Sequence, residues 1–297
     1  MFFPGGNMWV SDKWKEFEIL DCSGGEKLER WGTYTLVRPD PQVIWNTPKK
    51  DPLWSVSDAR YSRSSSGGGA WDKNSLPASW QISYGELRFN VKPMNFKHTG
   101  LFPEQASNWD WAMEKIRSAA LSGRKNISVL NLFAYTGAAT CACLKAGASV
   151  CHVDAAKGMV AWAKENAASS GLSNAPVRWI VDDCAKFTER EIRRGHRYDA
   201  IIMDPPSYGR GPGGEIWKLE NDLWDFVSLC ENVLSDDPLF VLINSYTTGL
   251  APSVLSYMSE CIFKGRGGSA ASDELGLPVK DSGLFLPCGA SCRYEFW

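Results

Sequence analysis

From about residue 96 onward, short hydrophobic runs alternate with stretches in which hydrophobic positions recur at helical spacing. The predicted strands are 127–133, 149–153, 177–181, 198–203 and 239–244, and the predicted helices are 108–120, 138–145, 158–169, 184–194 and 219–234. Such alternation is typical of an α/β fold, in which a parallel sheet carries helices on both faces through right-handed crossovers. Further on, 275–279 and 283–286 around the turn 280–283 predict an antiparallel hairpin at one edge of the sheet.

The pattern before residue 96 is different. This part is rich in Trp, Pro, Gly and Ser, and its short alternating stretches, 31–37 and 80–91, predict strands, the second of them a hairpin around 84–86. We therefore expect a small β-rich domain over residues 1–95, followed by the α/β domain over 96–297.

Composition and charge agree with a globular protein of two domains. The chain has 297 residues, a hydrophobic content of 44%, and 32 basic against 34 acidic residues, which excludes collagen-like and wholly disordered classes. A net charge of −2 gives no overall attraction to nucleic acid, so such a partner must meet a local patch. Two groups of basic residues are either solvated surface or phosphate contacts: Arg60 and Arg63 in the Ser/Gly-rich loop 60–69, and Arg190, Arg193, Arg194 and Arg197.

Targeting and metal signals are weak. Residues 1–7 have neither a basic start nor an apolar run, and no apolar stretch in the sequence is long enough to span a bilayer, so we expect a cytoplasmic protein without a membrane partner. The nine cysteines are an odd number without paired C-x-x-C spacing, and the chain has only three histidines. This pattern favours reduced thiols and no metal site.

The residues that follow the strands are the most informative, because ligands of an open α/β sheet bind at the carboxyl ends of the strands. The turn 131–137 ends in Gly137 and opens a helix, but it lacks the G-x-G-x-x-G spacing of dinucleotide sites. Asp154, after the second predicted strand, is suited to a ribose diol or to capping a helix. Asp182 and Asp183, after the third, are suited to an adenine amino group or to a cap.

The segment 204–211 follows the fourth predicted strand and begins Asp-Pro-Pro-Ser. Its two prolines lack backbone donors, so acceptors from Asp204 and the Pro205 carbonyl are suited to hold an amino or ring nitrogen. Tyr208 offers a flat face on which a base could stack. The alternative is an ordinary turn.

Together these motifs resemble the class I S-adenosylmethionine-dependent methyltransferases, and among them the bacterial branch with the large-subunit ribosomal RNA base methyltransferases. The resemblance covers about residue 80 to the end. It rests on 131–137, 153–155 with 162–166, Asp183 and 204–207, and on 96–105, which is similar to a segment that closes over the cofactor in that branch. It implies a Rossmann-like sheet and S-adenosylmethionine as the cofactor. The chain departs from the pattern at Asn131, where many relatives are acidic, and at 103–105.

The resemblance also implies site residues. In it, 134–137 line the methionine moiety, Asp154 binds the ribose, and Asp183 with the Cys184 backbone holds the adenine. The implied cofactor-binding residues are Thr99, Gly100, Phe102, Asn131, Ala134, Tyr135, Thr136, Gly137, Asp154, Ala155, Asp183, Cys184 and Asp204. The implied catalytic residues, which face the methyl acceptor, are Asp204, Pro205, Pro206 and Tyr208.

The sequence also bears on which atom accepts the methyl group. Methylation at pyrimidine C5 needs a cysteine nucleophile, which relatives carry in the fourth or sixth motif, and neither 204–211 nor 244–249 contains one. We therefore expect methylation of a base nitrogen in RNA, with ribosomal RNA as partner. Open alternatives are a protein or small-molecule N-methyltransferase, an RNA cytosine-C5 methyltransferase, an NAD-dependent oxidoreductase, and an RNA-binding module without catalysis for the β-rich half. The oligomeric state is open.

Overall fold

The computed structural model describes residues 8–64, 68–73, 75–210, 216–247 and 249–297. Outside the described residues lie 1–7, 65–67 of the predicted basic loop, Asn74, residues 211–215, of which Gly211 ends the Asp-Pro-Pro segment, and Thr248. The strands are β1 (Trp9–Val10), β2 (Phe17–Ser23), β3 (Glu26–Trp31), β4 (Tyr34–Pro39), β5 (Ala59–Arg63), β6 (Gly69–Lys73), β7 (Trp80–Tyr84), β8 (Leu87–Val91), β9 (Ser128–Leu132), β10 (Ser149–Asp154), β11 (Val177–Val181), β12 (Ala200–Met203), β13 (Tyr208–Arg210), β14 (Ile216–Lys218), β15 (Phe240–Ser245), β16 (Ser269–Pro278) and β17 (Phe285–Glu295). The helices are α1 (Leu53–Val56), α2 (Ala106–Leu121), α3 (Ala138–Lys145), α4 (Lys157–Ser169), α5 (Cys184–Arg194), α6 (Leu219–Glu231) and α7 (Pro252–Phe263).

The contacts divide the chain into two units, each of which is discontinuous in sequence. The β-rich unit comprises Trp9–Ser107 and Leu275–Cys288, and the α/β unit comprises Met8, Asn108–Glu274 and Gly289–Trp297. Residues 96–107 therefore group with the β-rich unit. The division into domains 1–95 and 96–297 stays a prediction.

The β-rich unit contains a five-stranded sheet in the order β2-β3-β4-β5-β6 and a separate hairpin of β7 and β8. The predicted hairpin over 80–91 is confirmed. The prediction of one strand over 31–37 is wrong, because the chain turns at Gly32, whose φ of 67° is left-handed, and β3 and β4 then pair antiparallel. The tip of the C-terminal hairpin belongs to this unit, where Leu275 pairs with Trp9 and Val279 bridges to Ile19.

The α/β unit confirms the predicted fold class. Its strands lie in the order β11-β10-β9-β12-β15, all parallel, with β17 antiparallel to β15 and β16 beyond it. Because β9 comes first in this series yet lies in the middle, the connections reverse direction beside it, and such a switch point is where ligands of this architecture bind. The C-terminal strands are longer than the predicted 275–279 and 283–286.

Both faces of this sheet are covered, as the alternation along its strands requires. Val129 and Ile202 belong to the core cluster that includes Ala112 of α2, whereas their neighbours Leu130 and Met203 belong to the cluster that includes Phe226 of α6. Successive side chains of a strand point to opposite faces, so both clusters need apolar residues from every central strand. The long hydrophobic runs in the sequence have this cause.

Candidate functional site

Three polypeptide segments leave the parallel sheet at the same level. In the register of the sheet, Leu132 of β9 lies opposite both Val153 of β10 and Met203 of β12. The residues that follow, Phe133, Asp154 and Asp204, therefore emerge side by side at the carboxyl edge. The structure thus brings together three of the motifs that the sequence singled out.

The first segment, 133–137, has a strained backbone. Its φ angles are left-handed at Phe133 (52°), Tyr135 (50°) and Gly137 (78°), a region that costs energy for residues with a Cβ. Strain of this kind persists only where surrounding contacts hold it, and it concentrates at ligand sites. We call residues 133–137 the strained loop.

Asp154 is one of the groups that hold the strained loop. Its Oδ2 accepts the Tyr135 N–H at 2.8 Å, and its Oδ1 accepts the Ala156 N–H at 2.8 Å. Burial raises the pKa of this half-buried carboxyl above its usual value, and the two N–H donors only partly offset that effect. Among the described residues no cation pairs with Asp154, and each oxygen keeps a further acceptor position.

Gly137 is required by packing as well as by its backbone angle. A Cβ at this position would lie 2.7 Å from the Cβ of Ala163 in α4 and 3.4 Å from Cε1 of His152 in β10. Close approach of α4 therefore depends on the absence of a side chain here. The resemblance of the motifs implied only that Gly137 lines the methionine moiety.

Beneath the strained loop lies a buried polar chain. The Asn131 amide donates to Oγ1 of Thr140 at 2.9 Å, and that hydroxyl lies 2.9 Å from Nδ1 of His152. Burial lowers the pKa of His152 to about 3, so its imidazole is neutral at physiological pH. The Asn131 side chain is thus buried and already bonded inside the unit, and its cofactor contact stays a prediction.

The third acidic position follows β11. Asp183 caps α5, because its Oδ1 accepts the Lys186 N–H at 2.9 Å. Both oxygens of Asp182 are occupied, one by the Asp183 N–H at 2.9 Å and the other by an ion pair with Arg190. Asp183 is therefore the carboxylate here with an oxygen that bonds to no other described residue.

Cys184 contacts the strained loop through its sulfur atom. Its Sγ accepts the Phe133 N–H at 3.3 Å, and burial strongly raises the pKa of the thiol. A buried, protonated thiol bonded to the backbone is a poor nucleophile. The sequence suggested only its backbone as a contact.

The Asp-Pro-Pro turn is tied down on one side. Asp204 is half-buried and donates its N–H to the Leu132 carbonyl, while the Pro206 carbonyl accepts the Trp217 indole N–H at 2.6 Å. The Pro206 carbonyl is therefore already bonded within the chain, and the role of the Pro205 carbonyl as an acceptor stays a prediction. Pro205 is buried, and Tyr208 is 51% exposed at the start of β13.

Comparison with known proteins shows the family of this chain. A family model described as S-adenosylmethionine-dependent methyltransferase matches residues 25–248. The chain belongs to this methyltransferase family. A solved structure of a methyltransferase of this kind from Agrobacterium tumefaciens matches with a TM-score of 0.90 and 35% identity, over 96% of this chain and 92% of that one.

Curated relatives of this methyltransferase are named ribosomal RNA large subunit methyltransferase K/L. The protein from Syntrophotalea carbinolica is 30% identical over 169 residues, which cover 56% of this chain and 22% of the relative. The protein from Shewanella frigidimarina is 37% identical over 139 residues, which cover 46% and 17%. The chain thus spans about a fifth of the length of these relatives. Family membership overturns the alternative of an NAD-dependent oxidoreductase and agrees with the missing G-x-G-x-x-G.

Asn166 also supports the candidate site, although the sequence did not single it out. Asn166 is wholly buried in α4, and its amide donates to the Thr136 carbonyl at 2.8 Å. It is a third side chain that holds the strained loop, after Asp154 and Cys184. Its place in the motif 162–166 was the available signal, but its sequence position indicated only a helix end.

The remaining predicted cofactor residues lie in the β-rich unit. Thr99 is wholly buried, and its Oγ1 has no hydrogen-bond partner among the described residues. Gly100 has a left-handed φ of 90°, and the Phe102 ring packs on His98 with centroids 5.5 Å apart. A buried hydroxyl without a partner needs an explanation, and a ligand acceptor is one.

The basic group of α5 is largely neutralised. Arg190 pairs with Asp182, Arg193 with Glu189 at 4.0 Å, and Arg194 with Glu191 at 3.4 Å. These contacts favour the interpretation as solvated surface over phosphate contacts.

The described residues contain neither a candidate membrane span nor a candidate metal site. No helix in the described part of the chain is long and apolar enough to cross a membrane. Within those residues no three His, Cys, Asp or Glu side chains are grouped so as to hold a metal ion.

Proposed function

We propose that this chain transfers the methyl group of S-adenosylmethionine to a base nitrogen of ribosomal RNA. The observation that carries the proposal is that the strained loop, Asp154 and Asp204 emerge side by side at the carboxyl edge of the parallel sheet. When bound, the cofactor supplies an electrophilic methyl group on a sulfonium, whose sulfur leaves as a neutral thioether. The protein has to bind, orient and desolvate the two reactants.

The residues present fit the cofactor. The free acceptor positions of the Asp154 carboxylate suit the two hydroxyls of a ribose, and the uncommitted oxygen of Asp183 suits an adenine amino group. The strained loop would line the methionine part. The cofactor contacts of Thr99, Gly100 and Phe102 stay predictions. The exposed Ala155 and the backbone of Cys184 complete the proposed adenosine contacts.

Asp204 and the Pro205 carbonyl are the proposed acceptors for hydrogen bonds from the nitrogen to be methylated. Two acceptors fix that nitrogen so that its lone pair points at the methyl group, and the carboxylate stabilises the positive charge that develops as the N–C bond forms and the C–S bond breaks. The methylated nitrogen then loses one of its protons to solvent, which gives the neutral product. Pro206 shapes the turn, and the half-exposed Tyr208 ring would stack on the target base, which has to leave its helix to enter the site.

A nitrogen acceptor is favoured over C5 of cytosine by the position of the sulfur atoms. The Cys184 thiol is buried and bonded to the Phe133 N–H. No cysteine occurs in 204–211. Covalent attack on a pyrimidine ring needs an accessible thiolate, which this arrangement does not supply.

The RNA substrate is supported by the names of the curated relatives. A protein or small molecule acceptor remains the competing substrate class, because the same turn can position an amide or amine. We further propose that the enzyme acts in the cytoplasm, where its ribosomal substrate is made.

The test is transfer of radiolabel from S-adenosylmethionine to fractions of a lysate from cells that lack this protein. We expect label in the ribosomal RNA fraction, at a modified base nitrogen after digestion. Label in the protein or metabolite fraction would overturn the RNA substrate, and label at cytosine C5 would overturn the nitrogen acceptor.

A variant at the turn tests the mechanism. Asp204→Asn should lower turnover by about a hundredfold or more, because the charge that stabilises the methylated nitrogen is lost. The cofactor affinity of Asp204→Asn, measured by calorimetry, should change by less than about twofold. In the control variant Asp236→Asn, at an exposed residue, both turnover and cofactor affinity should change by less than about twofold. Turnover of Asp204→Asn at the wild-type rate would remove the assigned role.

A further inference from the structure

One face of the β-rich unit combines aromatic and basic side chains. Tyr61 and Arg63 of β5 lie two residues apart and so point to the same side of the sheet. Trp71 of β6 lies opposite Tyr61, and their ring centroids are 5.4 Å apart. Tyr61 is buried, whereas Arg63 is exposed at the end of its strand.

Trp71 fixes the neighbouring loop on this face. Its indole N–H lies 2.9 Å from the Met94 carbonyl and 3.1 Å from the Phe96 carbonyl. The loop is closed by backbone bonds from Lys92 to Thr99 and from Met94 to His98. Phe96 stands at its tip with 60% of its surface exposed. The protein therefore presents a large aromatic ring to solvent on a fixed backbone.

Positive charge on this face is not balanced. Arg63 forms no ion pair or hydrogen bond with any described residue. Burial lowers the pKa of the half-buried Lys97 to about 8; the charges of Lys27, Arg38 and Arg63 add to this, and Asp40 opposes it. Within hydrogen-bond reach of its Nζ is the Pro39 carbonyl, at 3.3 Å.

The acidic groups nearby are already committed. Glu29 is wholly buried and bonds Arg38 through both oxygens, at 2.6 and 2.8 Å. Asp40 pairs with Lys27 at 3.2 Å. Neither forms an ion pair with Arg63 or Lys97 among the described residues, although the charge of Asp40 acts on Lys97.

The opposite face of the same strand shows a different arrangement. Arg60 points away from Arg63, pairs with Glu26 at 2.5 Å and donates to the Trp54 carbonyl at 2.8 Å. The two arginines that the sequence grouped in one basic loop are thus distinct. Arg60 stabilises the fold, and Arg63 is available to a ligand.

We propose that the face formed by Arg63, Phe96 and Lys97 binds a single-stranded segment of the RNA substrate. An exposed aromatic ring beside unbalanced cations is the combination that recognises unpaired nucleotides, since the ring stacks on a base and the cations neutralise the flanking phosphates. The RNA class rests on the proposed function. The face lies in the segment that leads directly into Thr99 and Gly100.

The test uses fluorescence anisotropy of a labelled single-stranded RNA of about 12 nucleotides, titrated with the full chain at several salt concentrations. Arg63→Ala should weaken binding about threefold to tenfold and reduce the slope of log affinity against log salt by about one. Phe96→Ala should weaken it about fivefold or more without changing that slope, and Phe96→Trp should retain affinity.

A pH series adds a readout specific to Lys97. Affinity should fall as the pH rises from about 7 to about 9, because the ammonium that attracts phosphate loses its proton in this interval. In Lys97→Gln this part of the pH dependence should be absent. Lys50→Ala, which removes an exposed cation elsewhere in the same unit, should leave affinity, salt slope and pH dependence unchanged.

The outcomes separate this inference from the proposed function. If the wild-type chain binds the RNA but Arg63→Ala and Phe96→Ala bind equally well, the face is not the RNA site. If the wild-type chain methylates a protein or metabolite and binds no RNA, this inference and the RNA substrate fail together, while methyl transfer stands. If Lys50→Ala lowers RNA affinity as much as Arg63→Ala does, the loss reflects the overall positive charge of the protein. That result would also overturn the proposal that this face binds RNA.

Discussion

Asp199 and Glu191, at the amino end of the parallel sheet, are bound differently from Asp154 and Asp183 at its carboxyl end. At the amino end, Asp199 pairs with Arg124 at 2.7 Å and Glu191 pairs with Arg178 at 3.0 Å. At the carboxyl end, Asp154 and Asp183 bond to backbone N–H groups, without a paired cation among the described residues. An arginine neutralises a carboxylate and can occupy acceptor positions on both of its oxygens. A backbone N–H leaves further acceptor positions open and does not cancel the negative charge.

The pKa values follow this difference. Burial would raise the pKa of Glu191, but hydrogen bonds from Arg178, Tyr198 and His196 outweigh it and lower the value to about 2. The pKa of Asp154 is instead raised by burial. A carboxylate whose ionisation the fold disfavours contributes little to the stability of the fold and is a candidate for binding a ligand. The same residue type thus stabilises the fold at one end and is available to a ligand at the other.

The largest effect that would test the comparison is on cofactor affinity. Asp154→Ala should weaken binding of S-adenosylmethionine about a hundredfold or more, because two charge-assisted hydrogen bonds to the ribose and the support of Tyr135 are lost together. The free energy of unfolding should change by less than about 1 kcal/mol. Isothermal titration and urea unfolding measure the two quantities, and unchanged affinity would refute the assignment.

The converse variant lies at the amino end. Glu191→Gln should lower the free energy of unfolding by about 2 kcal/mol at neutral pH, a figure reduced from that of a fully buried pair because Arg178 is partly exposed. Cofactor affinity should stay within about twofold of wild type. A loss of affinity matching that of Asp154→Ala would erase the distinction between the two ends.

The same variant has a signature in pH. Because the folded-state pKa of Glu191 is lowered from 4.5 to about 2, its contribution is complete above the unfolded value and is lost as the pH falls through this interval. The stability difference between wild type and Glu191→Gln should therefore shrink on acidification. A difference that stays constant would mean that the ion pairs are not its source.

A smaller effect tests the strained loop. Gly137→Ala should destabilise the protein by about 2 kcal/mol more than Gly171→Ala, as measured by urea unfolding. Both glycines are left-handed, with φ of 78° and 72°, but a Cβ at Gly171 meets no atom within 4 Å, whereas at Gly137 it collides with Ala163. Equal losses would show that the backbone angle alone matters and that α4 adapts.

Much of the α/β unit was predictable because local signals coincide with its elements. Gly137 precedes α3 and Asp183 caps α5, and the predicted bounds of both helices match the structure. The helix α7 was missed although Pro252 marks its first turn. In the β-rich unit, β2 and β3 were not predicted, since their alternation is interrupted by charged residues that the fold buries in pairs, such as Glu29.

The position of the candidate site residues in the fold was predictable, but the contacts that support them were not. Motif order placed Asp154, Asp183 and Asp204 at the ends of strands, where the structure has them, and their roles stay predictions. Nothing in the sequence shows that the Asn166 amide points inward to Thr136 or that the Cys184 sulfur accepts a backbone N–H, since both depend on how a helix packs on the loop. The separation of Arg60 from Arg63 likewise needed the two faces of β5.

The hairpin tip within the β-rich unit has a consequence for the order of synthesis. The N–H groups of Lys280 and Asp281 bond to the carbonyls of Ile19 and Leu20, and the N–H of Ser11 bonds to Gly276. During synthesis on the ribosome, the segments that pair with strands near the start of this sequence are translated more than 200 residues later. Pairing between segments so far apart in sequence is slow to form. We expect a nascent chain stalled before residue 275 to fold its five-stranded sheet with the edge at β2 unfinished, and a chaperone to protect that edge until the hairpin arrives.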